Sequence, residues 1–96
     1  MTQRLYLVAY DVSEPKRWRR VFRLMKGYGE WLQLSVFRCR LTEERRQRLA
    51  AALAKLIDPS ADRVLIADLG LLPRALGSLE AIGEPLPHAN EGPWIG

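Results

Sequence analysis

Asp11 is the residue best placed to do chemistry, because of what stands on either side of it. Before it lies an apolar run over residues 4–10 (Arg-Leu-Tyr-Leu-Val-Ala-Tyr). After it come six basic side chains, Lys16, Arg17, Arg19, Arg20, Arg23 and Lys26. Those cations suit phosphate oxygens, and the planar guanidinium fork of Arg matches them best. A carboxylate beside such a surface repels a phosphate unless it also holds a cation. Mg²⁺ is the natural choice: it takes oxygen ligands, keeps several waters, and often needs only one or two carboxylates plus substrate phosphates. An ion there could polarise a phosphodiester and activate water. The plainer alternative for Asp11 is an Asx-type turn or an extra helix cap. One carboxylate per chain is thin for a metal. A two-fold dimer that brings two copies of Asp11 together would supply two, and a monomer would then be inactive.

The other candidates are weaker. Arg17 lies nearest Asp11 in this basic run after Lys16 and is expected to orient it or to bind the scissile phosphate. Lys16, Arg19, Arg20, Arg23 and Lys26 are expected to face solvent, either to meet phosphates or simply as a solvated face. Asp68 could be a second carboxylate, though a turn residue is the simpler reading. Trp31 could stack a base, with core or interface packing as the alternative. Cys39 and His88 are each the only residue of their kind, so no Cys/His metal cluster exists. His88 falls in a proline-rich stretch and is expected to be inert. No Ser-His-Asp arrangement stands out, and there is no glycine-rich phosphate loop.

The chain that must position these residues is short. Its 96 residues suffice for one small domain. The net charge is +4, but residues 1–48 hold 12 Lys/Arg against 5 Asp/Glu, and residues 49–96 hold 3 against 6. The basic excess therefore lies wholly in the first half, which points to a polyanionic partner such as nucleic acid. No apolar run nears the ~18 residues of a membrane span, and residues 1–5 lack the apolar core of a signal peptide. A single cysteine forms no internal disulfide, and the expected location is the reducing cytoplasm.

Residues 4–10 read as a strand. Ser13 is the expected N-cap of a first helix that admits Pro15 in its first turn and runs to about Lys26. Trp18, Val21, Phe22 and Met25 form its apolar stripe, and Gly27 and Gly29 end it. Residues 31–40 alternate, with Leu32, Leu34 and Val36 on one side and Gln33, Ser35 and Phe37 on the other. They make one bent strand or two short ones meeting near Ser35. Thr42 caps a second helix with Glu43 and Glu44 in its first turn. Leu49, Ala52, Leu53 and Leu56 supply its buried stripe, and Asp58-Pro59-Ser60 breaks it. Arg63 to Leu69 is a further strand, and Ser78 to Gly83 a weak one.

Two helices on one face of a small, mostly antiparallel sheet satisfy this order. The fold class is α+β, a ferredoxin-like sandwich over residues 1–83, with residues 84–96 as a proline-rich tail that can pack on a partner subunit. The sheet's other face, carrying Tyr6, Val8 and Tyr10 or their alternates, would be open and would invite a second copy.

Several short motifs, taken in order, resemble the CRISPR-associated protein 2 family over roughly residues 4–69. They are Tyr10-Asp11-Val12, the Arg-rich first helix, Gly27-Tyr28-Gly29-Glu30, and Gln33-Leu34-Ser35-Val36-Phe37. Leu41-Thr42-Glu43-Glu44 and the Asp58-Pro59 break continue the match. The resemblance implies a ferredoxin-like homodimer whose C-terminal strand crosses to the partner's sheet, which would give Ser78 to Gly83 a role. It implies that Asp11 is the Mg²⁺-binding and catalytic residue, facing its copy across the dimer axis, with Tyr10, Ser35 and Phe37 shaping the floor beside it. It implies a metal-dependent endonuclease on single-stranded RNA or double-stranded DNA. It also implies the central dimer of a spacer-acquisition complex, which binds duplex DNA through basic residues and bridges copies of the CRISPR-associated integrase. One position departs from the pattern: Trp31 stands where the family often has Arg. Three readings follow: a Mg²⁺-dependent phosphodiesterase, a non-catalytic double-stranded DNA-binding scaffold, and, more distantly, a ferredoxin-like RNase toxin. Asp11→Asn separates the first two.

Overall fold

Tyr6, Val8 and Tyr10 alternate with Leu5, Leu7 and Ala9, so the first strand has two faces able to bury apolar surface. In the structure, a computed structural model that describes residues 2–87, this strand lies inside a four-stranded sheet. The strands are β1 (Arg4–Asp11), β2 (Glu30–Gln33), β3 (Val36–Leu41) and β4 (Arg63–Leu71), in the spatial order β2-β3-β1-β4 with every pair antiparallel. Helix α1 (Pro15–Lys26) joins β1 to β2, and α2 (Glu43–Leu56) joins β3 to β4. This is the expected ferredoxin-like sandwich. Arg4 pairs with Leu41 on one side and Leu71 on the other, and Asp11 pairs with Arg63.

The core lies between sheet and helices. Tyr6, Val8, Tyr10, Phe37, Cys39 and Leu41 meet Val21 and Met25 of α1 and Leu49 and Leu53 of α2. Of the two faces open to choice, the Tyr6–Val8–Tyr10 face is therefore the covered one. Leu7 and Ala9 lie on the other, with Val36 and the exposed Leu65 in register with Ala9. That far face also carries Arg38, 3% exposed, whose guanidinium donates to Glu30 and reaches the carbonyl of Pro87 at 3.4 Å.

Three local expectations change, and one left open is decided. The α1 cap is Glu14, not Ser13: Pro15 is the first helical residue, so the residue before it accepts from the N–H groups of Lys16 and Arg17. Residues 31–40 form two strands, with a turn at Leu34 and Ser35. Leu34 adopts φ 41° there and is 79% exposed. The turn and an irregular β2–β3 register break the expected alternation, so Leu32 and Phe37 are both buried while Leu34 is not. No strand forms over Ser78–Gly83 within the chain. Pro73 opens a 3-10 helix over Arg74–Ser78 that buries Ala75, and Ile82 beyond it is almost fully exposed. His88 and Trp94-Ile95-Gly96 lie outside the described residues. The other helix signals hold: Thr42 caps α2 by accepting from the Arg45 N–H, and Gly27 closes α1. β4 runs two residues past Leu69.

Candidate metal and nucleic-acid site

Asp11 is the last residue of β1. Strand alternation turns it away from Tyr10 and toward the far face, opposite the exposed Arg63. Its carboxylate is exposed, and no hydrogen bond or ion pair holds it among the described residues. That sets it apart from the other four acids of residues 1–48. Glu14 caps α1, Glu30 holds Arg38, Glu43 holds Arg46 and the Tyr6 hydroxyl, and Glu44 pairs with Arg48. Of the five acids of residues 1–48, Asp11 alone has neither a hydrogen bond nor an ion pair among the described residues.

A carboxylate in that state suits a hard cation. The described residues contain no group of three or more His, Cys, Asp or Glu side chains able to hold a metal ion. Among the described residues, Asp11 would thus be a lone carboxylate ligand for such an ion. Asp68 is no help. It lies opposite Tyr6, about 16 Å along the strand direction from Asp11 at roughly 3.3 Å per residue, and both its oxygens accept from Arg4.

Arg17 does not reach toward Asp11. Its guanidinium donates to both oxygens of Asp62, at 2.8 and 3.3 Å, and the Asp62 side chain is fully buried. The hydrogen bond from Arg17 holds the Asp62 carboxyl below the usual range, and one from the Asp58 N–H adds to it. The pair joins the start of α1 to the start of β4, and Arg17 is thereby a structural cation. Lys16, Arg19, Arg20 and Arg23 are exposed, and no acid holds any of them among the described residues. Lys26 lies over the Phe22 ring at 5.7 Å.

Tyr10 and Phe37 are core residues beneath the site, their rings stacked at 6.3 Å. The Tyr10 hydroxyl is buried beside Ser35 without the alignment of a hydrogen bond, and burial pushes its pKa up to about 12. Ser35 joins three elements. Its carbonyl accepts from the Tyr10 N–H at 3.1 Å and its hydroxyl accepts from the Trp18 indole N–H at 3.0 Å. The residue next to Asp11 is thus fixed to the β2–β3 turn, and the turn to α1. Sequence reasoning placed Trp18 only in an apolar stripe and did not single out Asp62. Neither the 17-residue separation of Trp18 from Ser35 nor the 45-residue separation of Arg17 from Asp62 leaves a local signal. Cys39 is buried, which pushes its thiol up to about 12 and leaves it inert. Trp31 is 46% exposed at the β2 edge and donates its indole N–H to the Leu34 carbonyl at 2.9 Å.

A model of the family described as CRISPR associated protein Cas2 matches residues 4–71, from the first residue of β1 to the last of β4. The CRISPR-associated endoribonuclease Cas2 1 of Rhodospirillum rubrum is 52% identical over 79 residues, covering 82% of this chain and 78% of its own. The CRISPR-associated endoribonuclease Cas2 of Geobacter sulfurreducens is 43% identical over 82 residues, covering 85% and 86%. Among solved structures, Streptococcus pyogenes Cas2 superposes with a TM-score of 0.70 at 30% identity, over 82% of this chain and 99% of that one. A chain of a partial Cas6-RT-Cas1–Cas2 complex shares the fold, with a TM-score of 0.66 at 24% identity, over 85% and 91%. With the match running through every strand that carries or supports Asp11, this chain belongs to the CRISPR associated protein Cas2 family.

Proposed function

We propose that the protein is a Mg²⁺-dependent endonuclease that cleaves phosphodiester bonds of single-stranded RNA or double-stranded DNA and serves in CRISPR spacer acquisition. The observation that carries this reading is the Asp11 carboxylate, the one acid of the basic half that is not engaged within the chain. The relatives' names, endoribonuclease Cas2, support the activity class. Asp11 would hold the ion through a carboxylate oxygen, and a homodimer would bring a second Asp11 to it. When bound, Mg²⁺ would polarise the phosphodiester and lower the pKa of a bound water. The chain's own part is to bind and hold the phosphates. Arg19, Arg20, Arg23 and Lys16 supply exposed cations, while Ser35 and Trp18 fix the backbone beside Asp11. Hydrolysis would add water to phosphorus as the bond to the leaving oxygen breaks, the water giving up its proton to solvent and the leaving oxygen taking one from solvent. The far face, with Leu65 60% exposed, offers a second copy apolar surface to cover. The exposed Ser78–Gly83 segment is free to pair with a partner's sheet. The setting would be the cytoplasm; no helix among the described residues is long and apolar enough to cross a membrane.

A second reading rests on the uncommitted cations of α1. It is a non-catalytic dimer that binds double-stranded DNA and bridges copies of the CRISPR-associated integrase. The Cas1–Cas2 complex containing a relative of this fold is in keeping with such a partner.

One experiment separates the two. Purified protein and Asp11→Asn are incubated with labelled single-stranded RNA and duplex DNA, with Mg²⁺ or EDTA. Cleavage that needs Mg²⁺ and is lost in the variant is the expected result. No cleavage by either protein, with salt-sensitive duplex binding by both, would leave the scaffold as the function.

A further inference from the structure

We propose that Trp31 is a stacking platform for an unpaired base, and that it gives the protein a binding site for single-stranded nucleic acid at the β2 edge. The proposal rests on the nucleic-acid reading above and names a contact that reading does not contain.

Three observations carry it. Trp31 is opposite Phe37 in the β2–β3 register, and Phe37 is in the core beneath the helices, so Trp31 projects on the helix side of the sheet. There it is 46% exposed, so much of the ring is open to a ligand. Its indole N–H is already satisfied by the Leu34 carbonyl at 2.9 Å, which ties the ring to the β2–β3 turn and makes stacking, not a hydrogen bond from the indole, the contact it can offer a ligand.

The surroundings give the ligand its charge. Arg17 points from α1 toward Asp62 at the start of β4, the sheet edge opposite β2. Arg19 follows two residues later, about 200° around the helix at roughly 3.6 residues per turn, with the core-facing Trp18 between them. Arg19 therefore lies on the flank nearer β2. Lys26, seven residues on, returns to the same flank. Phe22 lies between them along the helix and meets Phe37 edge-on at 5.5 Å, which sets Trp31 at the level of the Arg19–Lys26 interval. An aromatic face beside exposed cations is the arrangement that holds single strands: the base stacks on the ring and the phosphates meet the charges. A duplex keeps its bases stacked on each other and cannot use the ring, so Trp31 should discriminate between the two forms.

The test measures affinities of the full chain for fluorescein-labelled oligo(U), oligo(dT) and a duplex of equal length, by anisotropy without Mg²⁺. Wild type is compared with Trp31→Ala, Trp31→Leu and Trp31→Phe. A stacked base is worth about 1–3 kcal/mol, which is roughly a 5- to 150-fold loss for both single strands in Trp31→Ala and Trp31→Leu. Duplex affinity should be unchanged, and Trp31→Phe should recover most of the loss. Trp31→Leu keeps apolar bulk, so it remains informative if Trp31→Ala fails to fold. Equal losses on all three probes, or no loss on single strands, would overturn the proposal. Wild type that binds no probe would instead overturn the nucleic-acid reading itself. If only oligo(U) or only oligo(dT) loses affinity, the stacked base is assigned to RNA or to DNA.

Discussion

The Arg17 guanidinium and the buried Asp62 carboxylate form a two-pronged ion pair between the start of α1 and the start of β4. A residue that follows Asp11 by six positions thus has its guanidinium committed to a contact within the fold. Asp62 also accepts from the Asp58 N–H at 2.9 Å, so one carboxylate organises both the turn before β4 and the helix beside it.

Arg17 and the exposed arginines of the same helix should therefore behave differently. Arg17→Ala leaves Asp62 without its cation and should lower the melting temperature, with the salt dependence of duplex binding unchanged. Arg19→Ala, Arg20→Ala and Arg23→Ala should leave the melting temperature near wild type. Each that removes a phosphate contact should lower the slope of log affinity against log salt by about 0.9. Thermal melts and binding titrations at several salt concentrations check both.

Acid should destabilise the fold through the same pair and its counterparts. The Asp62 and Asp68 carboxyls are held below their ordinary values, chiefly by Arg17 and Arg4, and Glu43 is lowered to about 2, chiefly by Arg46. Folded values below unfolded ones mean that the unfolded chain binds more protons in acid. Their stabilisation is full above the unfolded values, roughly pH 4–5, and is lost as pH falls through the folded ones. Melting temperature should fall from pH 5 toward pH 2. In Asp62→Asn the slope of stability against pH should correspond to about one proton fewer taken up on unfolding.

Gly29 should not accept a side chain. A Cβ there would stand 2.6 Å from the Arg38 carbonyl oxygen and closer still to the buried Cys39 sulfur. Backbone and core both have to move, so Gly29→Ala should cost about 1–3 kcal/mol. Denaturant unfolding of Gly29→Ala measures this. Gly77→Ala, with open space around its Cβ position, serves as the comparison.

The Trp18–Ser35 hydrogen bond should be measurable as a coupling. Ser35→Ala strands a partly buried indole N–H and should cost about 1–3 kcal/mol. Trp18→Phe removes the donor and keeps a ring able to stack on Phe22, which the indole does now at 5.2 Å. The double variant should lose less than the two singles together, with an interaction energy of about 1 kcal/mol.

What the sequence made legible follows from the range of the forces involved. Thr42 and Gly27 announce helix ends because a cap acts within one turn, and β1 is plain because its apolar run is local. Asp11 stands out at the junction of two such local patterns. Arg17 was misplaced for the converse reason: nearness in sequence suggested Asp11, while the partner that holds it is 45 residues away. Leu34 was misread because a period-two pattern carries on through a turn on paper, whereas a positive φ reverses which face comes next. The Ser78–Gly83 pattern resembles a strand, but a strand needs a neighbour, and the chain provides none there.

The pairing of Arg4 with Leu71 has a topological consequence. It closes the matched segment on itself, with its first and last residues side by side in the sheet and the Gln3 carbonyl accepting from the Leu72 N–H at 3.0 Å. A short link across that junction, with new ends opened at the exposed Pro59–Ser60 turn, would preserve every strand pairing while changing the order in which the strands are synthesised. In this sense the path of the chain through the four strands is nearly a closed circuit, although the sheet itself keeps two open edges.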